Sequence, residues 1–460
     1  MMVLARLLTP QDFGLVAMVL TVTGFLKVFN DAGLSTATIQ REGITHAQVS
    51  NLFWTNIALG GGISLLVAAL SPAIAWFYRE PRLAAITLAI CGTFLLTSSA
   101  VQHLALLKRQ MRFQVVAAIE ISSVLAGIVV GIVMASLHFG YWSLVGMQLS
   151  TTVVSCLLAW SFSRWRPQLP KRRSGTRSLL HFGANLSASS FLYSLARGSD
   201  NLLIGRVYGS APLGLYNRAS AILMRPVQQF MSPIEAVFVP VLSRLQTQPE
   251  RYRRVVLQAY GIVAVASFLF TGLLLGVAQP LTLAVLGQKW EKAAPIFAGF
   301  TLVALYSPIG SVSTWLLTSQ GRGREFLIAG SIGSSLTIVS FLVGLPYGPV
   351  GVALSYSAFC ILIALPVNYY IAGRQGPVST SDLWGRFFTH LPLWAVVCVA
   401  TWLARYLVVD AGPWKQLAVQ GPAGLLAGLG FICIYPPARR VALSSFAVLC
   451  EWKKSRKIAL

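Results

Sequence analysis

Apolar runs of about 20 residues recur along almost the whole chain of 460 residues, and short clusters of proline, glycine and charged residues separate them. A helix of this length crosses the hydrocarbon core of a bilayer with its backbone hydrogen bonds satisfied internally. The pattern therefore predicts an all-α, polytopic membrane protein. A short apolar segment at the N-terminus is followed by thirteen predicted spans, at residues 13–30, 51–78, 83–107, 113–139, 141–162, 179–208, 213–238, 252–278, 293–319, 326–345, 350–372, 387–409 and 417–435.

A stretch near the N-terminus is repeated 200 positions later. Residues 4–16 read LARLLTPQDFGLV and residues 204–216 read IGRVYGSAPLGLY, so that Arg6 falls on Arg206 and Gly14 on Gly214 without a gap. A shared offset of this kind indicates an internal duplication. We therefore predict two pseudo-repeated six-helix lobes, followed by two extra C-terminal helices that have no counterpart in the first half.

The repeat also predicts that the first helix is truncated. Residues 204–208 end a span that begins near Leu179, so residues 4–8 are expected to end a similar span, with roughly 25 to 30 residues missing upstream. A basic connection at residues 164–178 separates the predicted halves. We expect a first lobe at residues 1–163, a second lobe at 179–374, and the two additional helices with a basic tail at 375–460.

Composition places the chain in a bilayer and explains its charge. Hydrophobic residues make up 55% and charged residues 11%, with a mean hydropathy of +0.69, whereas charged residues make up about 25% of a soluble protein. The net charge of +23 would indicate nucleic acid for a soluble protein. Here it is explained by basic loops, and no nucleic-acid partner is expected.

The basic residues are distributed unevenly between the two sides of the membrane. With the predicted loops assigned alternately to the two sides, 24 lysines and arginines fall on one side and 6 on the other. Cytoplasmic loops are enriched in lysine and arginine. The linker between the halves and the C-terminus are therefore predicted to be cytoplasmic.

Metal and cofactor chemistry have no support in the sequence. The six cysteines stand singly and the five histidines are scattered, without the spacing of a disulfide framework or a zinc site. No nucleotide-binding motif is present, which argues against ATP hydrolysis by this chain. We expect no metal and no cofactor.

Charged residues inside the predicted spans are the main indication of function. Each one at bilayer depth costs about 2.5 to 3.5 kcal/mol on insertion scales, so ten of them require partners or a water-filled cavity. Six are basic: Arg6, Lys27, Arg197, Arg206, Arg218 and Arg225. Four are acidic: Asp31, Glu120, Asp200 and Glu235.

The span at residues 179–208 shows how a cavity could be lined. Polar residues recur in it at every fourth position, at Asn185, Ser189, Tyr193, Arg197 and Asn201. Residues four apart share one face of a helix, and Asp200 lies beside that face. The opposite face is apolar, so this helix is predicted to have one polar and one apolar side.

Two interpretations of the embedded charges remain open. In the first, a cavity with more cations than acids attracts an anionic substrate, phosphate in particular, because arginine matches phosphate with paired donors. In the second, Arg197 with Asp200 and Lys27 with Asp31 are local ion pairs. The excess of cations in the whole set favours the first interpretation. Candidate substrate ligands are Arg197, Arg206, Arg218, Arg225, Asn185, Tyr193 and Asn201, and candidate ion-pairing or coupling residues are Lys27, Asp31, Glu120, Asp200 and Glu235.

Several segments resemble a known family. The runs LARLLTPQDFGLVAMV and FNDAGLSTATIQR in the first half, and NLLIGRVYGSAPLGLYNRAS and GQKWEKAAPIFAGF in the second, resemble the Wzx-type polysaccharide transporters of the multidrug/oligosaccharidyl-lipid/polysaccharide (MOP) flippase superfamily. The resemblance covers about residues 4–374 and is most specific in residues 4–83.

The resemblance implies a fold, a substrate and a location. Members have two six-helix lobes around a central cavity, often with two additional helices, and export undecaprenyl-diphosphate-linked oligosaccharides across the bacterial inner membrane for exopolysaccharide, capsule or O-antigen synthesis. The implied partners are the lipid-linked oligosaccharide and membrane lipids, with polysaccharide polymerase and chain-length machinery as further candidates. Alternating access by rocking of the two halves would be the transport mechanism.

Two other functions are considered. A cation-coupled drug or metabolite antiporter on the same fold would depend on membrane-embedded acids, and the excess of embedded cations argues against it. A membrane-embedded polysaccharide polymerase or ligase should have a long external loop with catalytic residues, but no predicted outward connection exceeds about fifteen residues. The sequence therefore favours a transporter over an enzyme.

Overall fold

The structure is a computed structural model that describes residues 2–443 except residues 32, 42, 171–193 and 196–197. All regular elements among the described residues are helices. The chain forms two compact units, Met1–Asn217 and Arg218–Leu460, and each is described by itself.

The first unit is built from seven helices and the residues that follow them. They are α1 Met2–Leu7, α2 Pro10–Asp31, α3 Leu34–Gln40, α4 His46–Tyr78, α5 Arg82–Arg109, α6 Phe113–Ser136 and α7 Trp142–Ser163. Residues 198–208 are also helical, and α8 Ser210–Arg244 begins in this unit. Helix α4 packs on α5, α6 packs on α7, and α5 contacts α2, α3 and α7, so α5 lies at the centre of the unit.

Local signals explain where the long helices begin and end. Thr45 caps α4, because its hydroxyl accepts from the backbone N–H of Gln48 while the Gln48 side chain accepts from the Thr45 N–H. The same helix ends at Tyr78, and the next residue, Arg79, has the left-handed φ of 56°. In the second unit, Ser379 and Asp382 form an equivalent capping box at the start of another long helix.

The second unit contains the remainder of α8 and eight further helices. They are α9 Pro249–Gly276, α10 Ala278–Leu286, α11 Ala294–Ser319, α12 Gly323–Gly344, α13 Gly348–Phe359, α14 Leu365–Gly373, α15 Thr380–Ala404 and α16 Pro413–Ile434. Helix α9 packs on α11 and α15, α15 packs on α16, and α11 packs on α13. Helix α11 is largely buried, which makes it the core of this unit.

The predicted all-α, polytopic membrane fold is confirmed. Within the described residues, nine helical stretches are long and apolar enough to cross a membrane. One of them, Gly323–Gly373, contains two predicted spans, because α12 ends at Gly344 and the backbone turns at Gly348, where φ is 77°. Large apolar side chains are exposed on such helices, including Leu65 (74%) and Trp76 (81%), as expected for surfaces that contact lipid.

Other predictions about the architecture stay predictions. The predicted spans 13–30 and 213–238 are helical, as parts of α2 and α8. Most of the predicted span 179–208 lies outside the described residues. The two six-helix lobes, the truncated first helix and the division at residues 164–178 are not tested by the arrangement within each unit.

Two helical segments were not predicted. Helix α3 follows Gly33, whose φ of 66° redirects the chain after α2, in a region predicted to be a loop. Helix α10 and the short 3₁₀ segment Gln288–Ala293 lie where another loop was predicted, and Trp290 in this segment is fully buried. Both segments are too short to span a bilayer, so a search for long apolar runs does not detect them.

The duplicated segments contact each other reciprocally within the first unit. A Cβ atom at Gly14 would overlap the carbonyl oxygen of Ser210, and a Cβ atom at Gly214 would overlap the carbonyl oxygen of Pro10. Pro10 and Ser210 are related by the same 200-residue offset as the two glycines. Helices α2 and α8 therefore approach backbone to backbone at a point where neither tolerates a side chain.

Substitution of these glycines should destabilise the protein. We expect Gly214→Ala to lower the free energy of unfolding by about 1–3 kcal/mol, because the added methyl group meets backbone atoms that cannot rotate away. The midpoint of thermal unfolding in detergent, followed by tryptophan fluorescence, measures the effect. Gly62→Ala in α4 is the matched control, since nothing lies within 4 Å of its Cβ position. Equal midpoints for the two variants would contradict the close contact.

Candidate functional site

A polar pocket lies among three helices of the first unit. It has a volume of about 260 Å³ and is formed by α2, α5 and α7. Its polar lining residues are Thr23, Lys27, Asn30, Thr93, Thr97, Gln148 and Thr152, and its apolar lining includes Leu20, Ile90 and Phe94. We call this cavity the polar pocket.

The sequence places polar side chains on one face of each of these helices. Each helix contributes two polar residues four positions apart, which therefore share a face: Thr23 and Lys27, Thr93 and Thr97, and Gln148 and Thr152. The three faces meet because α2 and α7 both pack on α5. A pocket with a largely polar lining is thus built between helices that are mostly apolar.

Three of the four threonine hydroxyls of the pocket donate their hydrogens within their own helices. Thr23 donates to the carbonyl of Val19 at 2.7 Å, and Thr152 donates to that of Gln148 at 3.0 Å. Thr93 donates in the same way to Ile90 at 2.6 Å. A hydroxyl that has donated its hydrogen still accepts through its oxygen lone pairs. The pocket wall therefore offers hydrogen-bond acceptors to a ligand that carries hydroxyl groups.

Lys27 is the one charged side chain among the residues that line the polar pocket. It is exposed, and no ion pair that includes it is found within the described part of the chain. Asp31, its candidate partner, instead accepts from the backbone N–H of Ser35 at 2.9 Å and from the Ser35 hydroxyl. The pocket therefore presents a positive charge to its contents.

Asn30 forms part of the pocket and is almost fully buried. Its side-chain oxygen accepts from the hydroxyl of Ser98 at 3.0 Å, which links α2 to α5. This hydrogen bond holds α2 against α5 only three residues beyond Lys27. The part of the pocket wall that Asn30 forms is therefore held in place by a hydrogen bond between helices.

Arg206 lies in a different cavity of the first unit. This outer groove, of about 610 Å³, is lined by Arg206 together with Trp76, Arg79 and Glu80 among others, and shares no lining residue with the polar pocket. The Arg206 guanidinium carbon lies 5.6 Å from the centre of the Phe77 ring, a cation–π geometry. The structure therefore does not bring Arg206 and Lys27 together.

The only acidic residue lining this outer groove, among those described, is engaged by a neighbouring arginine. Arg82 donates to both carboxylate oxygens of Glu80, at 2.8 and 2.9 Å. The hydrogen bond from the Arg82 side chain lowers the pKa of Glu80, so the carboxylate stays ionised near neutral pH. Glu80 is thus paired with Arg82, and the groove keeps the charges of Arg79 and Arg206.

Asp200 and Asn201 lie next to each other at the end of the predicted polar helix. Asp200 accepts from the Tyr216 hydroxyl at 3.0 Å and from the backbone N–H of Asn201 at 2.7 Å. The other members of the predicted polar face, Asn185, Tyr193 and Arg197, lie outside the described residues. Neither the predicted face nor the Arg197–Asp200 pair is tested.

The remaining candidates do not line the polar pocket. Glu120 is exposed on α6. Arg218, Arg225 and Glu235 all lie on α8 in the second unit, where Arg225 is exposed and the other two are partly buried. Arg218 and Arg225 are seven residues apart and therefore share a face of α8. Their roles as substrate ligands stay predictions.

Most of the polar pocket was not predicted from the sequence. The predicted site residues are mainly charged, whereas all of the pocket's polar lining except Lys27 is uncharged. The signal that would have found these residues is the recurrence of polar pairs four positions apart inside apolar runs. No group of three histidine, cysteine or acidic residues that could hold a metal is found among the described residues.

Comparison with known proteins shows which family the sequence matches. Residues 3–295 match the family described as "Polysaccharide biosynthesis protein". The lipopolysaccharide biosynthesis protein WzxC of Escherichia coli (strain K12) is 27% identical over 404 residues, which cover 85% of this chain and 81% of WzxC. The succinoglycan biosynthesis transport protein ExoT of Rhizobium meliloti (strain 1021) is 25% identical over 422 residues, which cover 91% of this chain and 84% of ExoT.

A solved structure shares the fold. The lipid II flippase MurJ, in an inward closed conformation, matches with a TM-score of 0.74 over 94% of this chain and 95% of MurJ. The sequence identity is 15%, so this similarity shows the fold alone. Together with the match to WzxC, it confirms the resemblance to Wzx-type transporters.

Water in the polar pocket can be tested with cysteine chemistry. We expect Thr97→Cys to react at least about tenfold faster than Leu65→Cys with a small charged methanethiosulfonate, because only a hydrated thiol ionises to the reactive thiolate. Both variants are made after replacement of the native cysteines, and the reaction rate in membranes is measured by mass spectrometry. Leu65 is the control because its exposed side chain lies on an apolar helix surface. Equally slow reaction of both variants would mean that the pocket is dry.

Proposed function

The chain belongs to the polysaccharide biosynthesis protein family, and from this premise we propose that it is a flippase for lipid-linked oligosaccharides. The proposed substrate is an undecaprenyl-diphosphate-linked repeat unit, which moves from the cytoplasmic to the outer leaflet of the bacterial inner membrane. The names of WzxC and ExoT, which refer to polysaccharide biosynthesis and transport, support this class of substrate. The fold shared with a lipid II flippase is consistent with it.

The polar pocket is the observation that carries the proposal. Its single cation, Lys27, suits a phosphate group, and its hydroxyl and amide oxygens suit the hydroxyl hydrogens of a sugar. A headgroup that combines phosphate with sugars requires both features. The lipid tail would stay in the bilayer while the headgroup passes through the protein.

The embedded charges complete the proposed pathway. Arg197, Arg206, Arg218 and Arg225 would bind the diphosphate at successive stages, and Asp200 and Glu235 would pair with these cations or couple an ion. Inverted or repeated halves commonly give alternating access by rocking about a site near the bilayer midplane. Rocking of the two predicted lobes is accordingly the proposed mechanism.

The proposed orientation places the C-terminus and the linker at residues 164–178 in the cytoplasm. The distribution of lysine and arginine, 24 against 6, supports this orientation. A C-terminal fusion to alkaline phosphatase is expected to be inactive, and an active fusion would reverse the orientation. Polysaccharide polymerase and chain-length machinery are the proposed downstream partners.

The polar pocket favours this function over the two alternatives. A cation-coupled antiporter requires an embedded acid at its site, whereas none of the described lining residues of the pocket is acidic. A polymerase or ligase would transfer sugars, whereas ExoT is named as a transport protein. A transporter that recognises an anionic headgroup fits the pocket better than either.

Complementation of a deletion strain tests the proposed function. Deletion of the gene should cause lipid-linked repeat units to accumulate on the inner leaflet, and the intact gene should restore polymer export. We expect Lys27→Ala to reduce export at least about tenfold, because loss of a charge-assisted hydrogen bond costs about 1.5–3 kcal/mol. Lys27→Arg should retain most activity because it keeps the charge.

A double variant and a control variant are tested in the same export experiment. Arg218→Ala combined with Arg225→Ala should abolish export while the protein remains in the membrane, if these side chains bind the diphosphate. Lys289→Ala, which removes an exposed lysine from the second unit, is the control and should export normally. Wild-type export by Lys27→Ala would exclude the polar pocket as the substrate site.

A further inference from the structure

A basic cavity lies in the second unit, and its lining residues come later in the chain than those of the polar pocket. It has a volume of about 710 Å³ and is formed by the start of α9, the first half of α15 and the helical residues 436–443. Four arginines line it, at Arg253, Arg254, Arg386 and Arg440. Glu250 is the one acidic residue among its described lining residues. We call this cavity the basic groove.

Among the described residues, one of the four arginines has a carboxylate partner. Arg253 forms a bidentate ion pair with Asp382, with its Nη2 2.6 Å from Oδ1 and its Nε 3.0 Å from Oδ2. For Arg254, Arg386 and Arg440, no carboxylate lies within ion-pairing distance in the part of the chain that the structure describes. Three guanidinium groups therefore line one cavity, and no described carboxylate forms an ion pair with them. Their mutual repulsion is relieved if an anion occupies the groove.

The basic groove also has an apolar wall. Leu257, Pro437 and Val441 line it beside the arginines. Behind this lining, next to Thr389, the His390 side chain is fully buried, and neither of its ring nitrogens has a hydrogen-bond partner among the described residues. The cavity thus combines positive charge with an apolar surface. A soluble anion would require the positive charge but not the apolar surface.

The surroundings of the basic groove suit acyl chains. The segments that form it or lead to it expose large apolar side chains, including Phe388, Ile434 and Leu443. All three segments lie at the end of the second unit that the charge distribution predicts to be cytoplasmic. Basic pockets between membrane helices at this side are typical binding sites for anionic lipid headgroups. The guanidinium group also matches phosphate geometry through paired donors.

We propose that the basic groove binds the phosphate of an anionic phospholipid headgroup, with the acyl chains on the apolar surface of α15 and α16. Arg254, Arg386 and Arg440 contact the phosphate, and the Arg253–Asp382 pair fixes one side of the groove. We assign this lipid as a bound neighbour of the protein rather than its cargo, because the basic groove shares no lining residue with the polar pocket and contains none of the arginines proposed to bind the diphosphate. The lipid site does not depend on the transported substrate.

Lipid titration of the purified full chain tests the proposal. Short-chain phosphatidylglycerol or phosphatidylcholine is added to the protein in neutral detergent, and bound lipid is counted by native mass spectrometry. We expect phosphatidylglycerol to bind at least about tenfold more tightly than phosphatidylcholine. Arg254→Gln combined with Arg440→Gln should remove this preference, because two of the three phosphate contacts are lost.

The matched control changes the neighbouring arginines. Arg251→Gln combined with Arg439→Gln removes the same charge from the same two segments, but neither residue lines the basic groove. This variant should keep the preference for phosphatidylglycerol. The thermal midpoints of both variants in neutral detergent are compared with that of the wild type. If the first variant does not fold, Arg440→Gln alone carries the test, since Arg440 is exposed.

Three results would overturn the proposal. The first is equal loss of preference in the groove variant and the control, which would indicate a general effect of charge. The second is competition by millimolar inorganic phosphate that removes the bound phosphatidylglycerol, which would indicate a site for a soluble anion. The third is displacement of phosphatidylglycerol by a polyprenyl diphosphate at equimolar concentration, which would make the groove a substrate site.

Discussion

The free-energy cost of a charge inside an apolar helix bundle is the constraint on which the rest of this structure depends. Lys27 lies on α2 between apolar neighbours, four residues before the helix ends, and at bilayer depth its ammonium group would have to be hydrated or paired. The helices around it line the pocket with hydroxyl and amide groups and, among the described lining residues, with no carboxylate. Asp31, the carboxylate closest in sequence, is bonded instead to Ser35. The proposed anionic headgroup would supply the counter-charge that the described lining of the pocket lacks.

The position of α2 follows from a backbone contact rather than from the pocket itself. Gly14 meets Ser210 and Gly214 meets Pro10, so two duplicated segments approach as closely as helices can. Because this contact holds α2 from one end and the Asn30–Ser98 hydrogen bond holds it from the other, Lys27 lies on a helix fixed at both ends. The duplication seen in the sequence thus contributes directly to the geometry of the candidate site.

The sequence predicted the parts of the structure that depend on local pattern. Long apolar runs predicted the membrane helices, and a shared offset identified Gly14 and Gly214 as equivalent positions. The polar pocket could not be predicted in this way, because it depends on how α2, α5 and α7 are rotated about their axes. The basic groove was missed for a related reason, since Arg254, Arg386 and Arg440 come from three segments separated by more than 50 residues each. Ion pairing was also ambiguous, because Gly33 redirects the chain and brings Ser35 to Asp31.

The two proposed sites have different ligands: the polar pocket and the embedded arginines bind the transported headgroup, and the basic groove binds a membrane lipid. Transport itself is measured most directly with the purified protein in liposomes that contain an undecaprenyl-diphosphate-linked oligosaccharide. An impermeant glycosidase outside the liposomes reports the fraction of sugar exposed on the outer leaflet. The account predicts that the protected inner half becomes accessible with time, and that Lys27→Ala slows this process. Protection that persists as in protein-free liposomes would contradict the assignment of this chain as a flippase.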